Sequence, residues 1–219
     1  MDLKFALDFL KDLSKHNHKE WMDANKKRYL EAKDHVIEFV QEVMDQVSSF
    51  DPAISSLEPK KTLFRFNRDI RFSKNIDPYK TNFGAFLVEG GKKSGLPGYY
   101  IHLQPGNSFI GGGIYQPSPE TLQKVRQEID YSGKDLQAIL NSKQFAATYP
   151  TPHSTDRLKT APKGYPKDHE FIELLQLKHY VYMKSVDDKT VTSGDFVKLI
   201  TTDFKTLHPF NQFLLRALD

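Results

Sequence analysis

The sequence predicts an α+β protein: a mostly antiparallel sheet, about residues 62–115 plus 179–186, flanked by N- and C-terminal helices. Three observations predict it. Apolar residues recur at helical spacing at both ends of the chain. Strand-like alternation clusters in the middle. The two patterns are segregated, not interleaved as βαβ units.

The elements follow in order. Leu3, Phe5, Ala6, Phe9, Leu10 and Leu13 give a first helix. Asn17, with Glu20 three residues on, reads as a capping box for a second helix. Its stripe runs through Trp21, Tyr29, Ala32, Val36, Phe39, Val40, Val43 and Val47 without Pro or Gly, so one helix is expected to about residue 49, ended by Asp51-Pro52. From Thr62 to Phe72, Leu63, Arg65 and Asn67 alternate with Phe64, Phe66 and Arg68, the pattern of a strand. Further strands are expected over Phe83–Glu89, Tyr99–Gln104, Ser108–Tyr115 and His179–Val186. The second and third of these form a hairpin across Pro105-Gly106-Asn107.

Ser118-Pro119 opens a helix with a serine cap and proline in the first turn. Ser132 starts another, bearing Leu136, Ile139 and Leu140. Residues 146–168 read as irregular, and Asp168–Leu177 as helical. Thr192 and Asp195 cap a helix carrying Phe196, Leu199, Ile200 and Phe204; His208-Pro209 is expected to break it before a final helix. There is no internal repeat, and the sheet is expected to pack on the long helix through Phe39, Val43 and Val47.

A chain of 219 residues can bury a core without disulfides, and it is read as a single domain, residues 1–219. Sixteen Phe and ten Tyr supply much of that core. The absence of cysteine excludes a disulfide scaffold, a thiolate zinc site and a Cys nucleophile. Met1-Asp2-Leu3-Lys4-Phe5 does not read as a signal peptide, and no apolar run has membrane-spanning length. A cytoplasmic protein without membrane partners is expected.

Charge singles out one segment. Residues 60–80 carry Lys60, Lys61, Arg65, Arg68, Arg71, Lys74 and Lys80 against Asp69 and Asp77, a net +5 in a chain whose total is +3. Concentrated positive charge points to an anionic partner. Arginine offers planar paired donors that suit phosphate or carboxylate. On a straight strand Arg65 and Arg71 share a face and Arg68 does not; a bend near Asn67–Asp69 brings them together. A structural network, with Asp69 paired to Arg68 or Arg71, accounts for the same residues.

Tyr100, His102 and Gln104 share one strand face, opposite Tyr99, Ile101 and Leu103. His102 is an acid/base candidate, with Asp69 as a weaker one; a partly exposed sheet face gives the same alternation. Gly111-Gly112-Gly113 lacks phosphate-loop context and reads as close packing or a bulge. No H-E-x-x-H is present and His16-x-His18 has no acidic partner at ligand spacing, so neither metal nor cofactor is expected. Arg157, Lys159, Lys163 and Lys167 form a second basic stretch in an irregular segment.

Several segments together resemble a widespread, mostly bacterial family known only as a conserved domain of unknown function. They are Arg68-Asp69-Ile70-Arg71-Phe72-Ser73-Lys74 with Pro78-Tyr79-Lys80-Thr81, Gly98–Pro105, Gly111-Gly112-Gly113 and Leu158–Tyr165. The helix pair with Trp21 and Tyr29 also fits. Ile114-Tyr115 departs from the family, where a tryptophan is common. The resemblance implies one domain of mixed α/β type and supplies no activity.

The best reading is a protein that binds an anionic or phosphorylated ligand through Arg65, Arg68, Arg71, Ser73, Lys74, Tyr79, Lys80, Tyr100 and His102. A nucleic-acid module, using the same charges with Tyr79, Tyr99 and Tyr100 as stacking platforms, is the alternative. An enzyme using His102 and Asp69 on an anionic substrate, and a scaffold with a purely structural ionic motif, remain open beside it.

Overall fold

The computed structural model describes residues 1–69, 77–153 and 156–219. Helices occupy both ends of the chain, and strands β1 (Phe83–Leu87), β2 (Gly98–Leu103), β3 (Ser108–Ile114) and β4 (Tyr180–Val186) form one antiparallel sheet in the order β1-β2-β3-β4. The class is α+β. None of the helices among the described residues is long and apolar enough to cross a membrane.

The chain divides into two units. The first comprises Met1–Leu87, Tyr100–Ile110 and Ser185–Thr201; the second comprises Val88–Tyr99, Gly111–Lys184 and Thr202–Asp219.

In the first unit, Asp2 caps helix α1 (Leu3–Lys15) by accepting from Phe5 N at 2.9 Å. Leu3, Ala6, Leu7, Phe9, Leu10 and Leu13 form its buried face. Helix α2 (Lys19–Ala24) is short, and α3 (Lys26–Val47) follows it. The single helix expected from residue 17 is therefore two. Asn25 interrupts it: its Nδ2 donates back to Trp21 O at 2.9 Å, and its backbone leaves helical geometry. His18, not Asn17, holds the N-cap position. Phe39, Val43 and Val47 are fully buried, α3 packs on β1, and Phe39 stacks on Phe196 at 5.4 Å, as the apolar stripe predicts.

A 3-10 turn over Pro52–Ser56 and helix α4 (Pro59–Thr62) lead into the basic segment. The expected strand over 62–72 does not form among its described residues. Leu63 bridges Ala85, with Phe64 N donating to Gly84 O. The chain bends at Phe66, and Asn67 then bridges Tyr79. Because the pairing changes partner after one step, no continuous ladder builds; Pro78, lacking an N–H, can only accept, from Arg68 N at 2.9 Å.

In the second unit, Ser118 caps α5 (Pro119–Leu140) by accepting from Thr121 N, with Pro119 in the first turn as predicted. The two helices expected here meet at a kink at Ser132, whose backbone is non-helical. Helix α6 (Lys143–Thr148) carries Phe145, which meets Tyr182 and Phe210 at 5.0 and 6.0 Å. Helix α7 is only Ile172–Leu175, shorter than expected, preceded by turns.

Helix α8 (Asp188–Val191) lies in the first unit, capped by Asp187. Helix α9 (Phe196–Arg216) continues through Pro209 instead of breaking there. An interior proline costs about 3 kcal/mol; Phe204, Leu207, Phe210, Phe213 and Leu214 are buried on either side of it, and that burial offsets the cost. The triple glycine is a packing device. A methyl on Gly111 would strike Tyr182 O, on Gly112 Gly98 O, and on Gly113 Tyr180 O.

Candidate functional site

The candidate site lies within the first unit, where the 63–69 segment, residues 77–81 and β2 supply its side chains. Phe66 anchors the basic segment. Its buried ring lies 4.8 Å from Tyr29, 5.2 Å from Phe83 and 6.2 Å from both Phe9 and Tyr79. Phe64, expected on the same face, is instead 42% exposed, because the bend at Phe66 ends the alternation.

With Phe66 turned inward, the neighbouring cations remain at the surface. Arg65 Nη2 lies 3.6 Å from Asp69 Oδ2. Arg68 Nε donates to Tyr79 O at 3.0 Å, so the guanidinium braces the backbone just before Lys80. Asn17 holds the same residue from the other side: Nδ2 donates to Tyr79 O at 2.9 Å, and Tyr79 N donates to Asn17 Oδ1 at 3.1 Å. Lys80 N donates to Phe66 O, and its Nζ sits over the Phe64 ring, 5.6 Å from the centroid.

Lys80 has the least usual electrostatics of the group. Burial, and then the charges of Arg65 and Arg68, hold its ammonium below the ordinary lysine value. Among the described residues no carboxylate pairs with it, and residues 70–76 and 154–155 contain no Asp or Glu. Lys80 thus feels two positive charges, one of which, Arg65, has Asp69 at 3.6 Å.

Beside it, β2 presents a chain of hydrogen bonds. Tyr100 Oη lies 3.1 Å from His102 Nδ1, His102 Nε2 lies 3.0 Å from Gln104 Oε1, and Gln104 Nε2 donates to Thr81 Oγ1 at 3.4 Å. Gln104 Oε1 can only accept, so His102 carries its proton on Nε2, and Nδ1 accepts from the Tyr100 hydroxyl; the tautomer is assigned from this network. Thr81 then accepts with its oxygen and keeps its own proton for a further partner.

Burial pushes the Tyr100 phenol up to about 12. Burial also lowers His102; the Gln104 hydrogen bond opposes this, and Lys80's charge adds to it. Phe109 stacks on His102 at 4.3 Å and 10°, and Phe64 meets Tyr100 edge-on at 6.0 Å. Gly84 admits this arrangement, because a Cβ there would lie 2.8 Å from Tyr100 Oη.

The structure therefore brings Arg65, Arg68, Lys80, Tyr100 and His102 into one unit and couples Lys80 electrostatically to Arg65, Arg68 and His102. Tyr79 contributes its backbone, and its ring packs on Phe66. Arg71, Ser73 and Lys74 lie outside the described residues. Tyr99 is no stacking platform: it is buried in the second unit, with its hydroxyl 2.7 Å from His208 Nδ1 and its ring on Phe204. Arg157, of the second basic stretch, lies in the second unit, where it bridges Leu177 and sits 3.9 Å from Glu173.

Sequence reasoning missed three contributors. Asn17 read as a helix cap, and Phe64 as one residue of an alternating strand. Thr81 offered no signal beyond its place after Lys80. No cluster of three or more His, Asp or Glu side chains is placed to hold a metal among the described residues.

These features define an α+β protein with a cationic segment set beside a hydrogen-bonded strand face. The chain belongs to the conserved hypothetical protein family DUF2461, whose model matches residues 5–213. No curated protein and no solved structure matches it.

Proposed function

We propose that this protein binds an anionic, phosphate-bearing ligand against Lys80, Arg65 and Arg68, beside the Tyr100–His102–Gln104 face. One observation carries the reading: Lys80 is half-buried, has no carboxylate partner among the described residues, and feels the charges of Arg65 and Arg68. A charge withdrawn from water needs a counter-charge or it raises the energy of the fold. Asp69 lies near Arg65, and among the described residues nothing comparable offsets Lys80. An oxyanion supplies what is missing, and the guanidinium and ammonium donors suit it chemically.

Arg71, Ser73 and Lys74 join this proposal through their place in the sequence, Tyr79 through the backbone that Asn17 and Arg68 brace. No cofactor is invoked. The protein is further read as one bacterial domain over residues 1–219, as the family resemblance implies, and as cytoplasmic. Titration calorimetry with inorganic phosphate tests the central proposal: heat of binding in the native protein and its loss in Lys80→Gln are expected, and equal heats in both would remove it.

A second reading, nucleic-acid binding, draws on the exposed Phe64 ring beside Arg65, since an aromatic face among cations stacks bases. Its signature is affinity that falls steeply with salt as counter-ions are displaced. No binding to single- or double-stranded nucleic acid at low salt would rule it out.

A further inference from the structure

In the second unit, the corner where β3 gives way to α5 is built around His179, the residue just before β4. Gln116 N donates to His179 Nδ1 at 3.0 Å, a bond between residues 63 apart in the sequence. An imidazole nitrogen that accepts carries no proton, so the ring is neutral with its hydrogen on Nε2; the tautomer is assigned from this bond. Nε2 lies 3.7 Å from Asp156 Oδ2, and Lys178 Nζ holds Asp156 Oδ1 at 2.7 Å. Tyr115, 61% exposed, stacks on the imidazole at 5.1 Å and 26°. Gln116 itself has φ of 50°, the one left-handed non-glycine backbone among the described residues. A Cβ disfavours that conformation, so the corner persists only while its contacts hold it.

We infer that His179 is a proton-operated latch on the β3–α5 corner. Nδ1 takes a proton from water, and the lone pair that received the Gln116 N–H becomes an N–H bond. Two donors then face each other across 3.0 Å, and the hydrogen bond is lost. The other contacts of the ring hold. Charge draws it toward the Asp156 carboxylate, which Lys178 shares, and the Tyr115 ring face attracts a cation. The neighbouring charges, Arg157 and Glu173, pair with each other at 3.9 Å. The imidazole therefore stays, and the Gln116 amide is what leaves. Its left-handed backbone relaxes, and the link through Pro117 and Ser118 into α5 loosens.

NMR of the full-length protein from about pH 8 to about pH 5, across the ordinary histidine range, reads both halves of the latch. The ring signals of His179 report its charge. Hydrogen exchange at the Gln116 amide, corrected for its intrinsic dependence on pH, reports the bond. Gln116 protection should fall about tenfold, the worth of one ordinary hydrogen bond, with the midpoint of the His179 titration. The amides of Val125 and Ile129, inside α5, should keep their protection. In His179→Gln the Gln116 amide should keep one protection value over the whole range.

Gln116 protection that stays level while His179 titrates overturns the inference, as does a His179 ring that does not titrate in this range. Loss at a different midpoint, or unchanged loss in His179→Gln, places the proton elsewhere and overturns it too. Simultaneous loss at Val125 and Ile129 is unfolding of the helix and overturns a local latch. If His179→Gln does not fold, the match of midpoints in the native protein decides alone.

Discussion

Asn17 grips the backbone of Tyr79 with both ends of its carboxamide, donating to the carbonyl at 2.9 Å and accepting from the amide at 3.1 Å. Arg68 Nε shares that carbonyl at 3.0 Å. Both lone pairs of one oxygen are thereby engaged, and the residue immediately before Lys80 is fixed from two sides. The loop between α1 and α2 thus sets where the lysine emerges.

Replacing Asn17 with Ala removes two hydrogen bonds and leaves the half-buried Tyr79 amide unpaired. A loss of about 1–3 kcal/mol is expected in denaturant unfolding, with weakened phosphate binding alongside it. Unchanged stability and affinity would mean the clamp holds nothing in place.

Arg68 and Lys80 should respond in opposite ways. Arg68→Gln deletes a charge-assisted bond to Tyr79 O and should cost about 1–2 kcal/mol. Lys80→Gln relieves repulsion with Arg65 and Arg68, so stability should hold or rise, as clustered functional charges often trade stability for function. Thermal melts of the two variants, with and without phosphate, check the contrast. A large loss in Lys80→Gln would mark the lysine as architectural.

Much of the fold was legible because its signals are local. Helical spacing located α1 and the buried stripe of α3, and Ser118-Pro119 located the start of α5. Alternation located β1 to β4 to within a residue or two. The failures are places where a contact that spacing does not show overrides the pattern. Asn25 breaks a stripe that contains no Pro or Gly by bonding to Trp21 O. Pro209 stays helical because apolar residues on either side of it are buried. The 62–69 alternation yields to a bend with Phe66 in the aromatic cluster. Of the site, the charge cluster and the Tyr100–His102–Gln104 face could be read from residue order. The Asn17 clamp, which joins residues 62 apart in the sequence, could not.

The triple glycine makes a sharper case. Gly113 has φ of 116°, and an added methyl would strike Tyr180 O. Gly113→Ala should destabilise by about 3 kcal/mol or more, from overpacking and left-handed strain combined. Retained stability on thermal unfolding would show that the β3 backbone shifts freely.

The pH profile should bend at both ends. His102 is depressed in the fold, so below the ordinary value of about 6.5 the unfolded chain binds more protons than the folded one. Stability should therefore fall as pH drops from there through the folded value, and His102→Gln should flatten this part of the slope. Tyr100 and Tyr182, both raised by burial to about 12, act oppositely. Above pH 10 the unfolded chain loses phenolic protons first, so these groups lower stability with rising pH until about 12. Urea unfolding across the range reads both limbs; an acid limb identical in His102→Gln would contradict the assignment.

The central claim is that Lys80, held among arginines without a carboxylate, awaits an anion. Calorimetric titration of inorganic phosphate into native protein, Lys80→Gln and Arg157→Gln tests it most directly. The account predicts saturable heat in the native protein and in Arg157→Gln, and none in Lys80→Gln. Equal phosphate affinity in all three proteins, or heat in none, would contradict it.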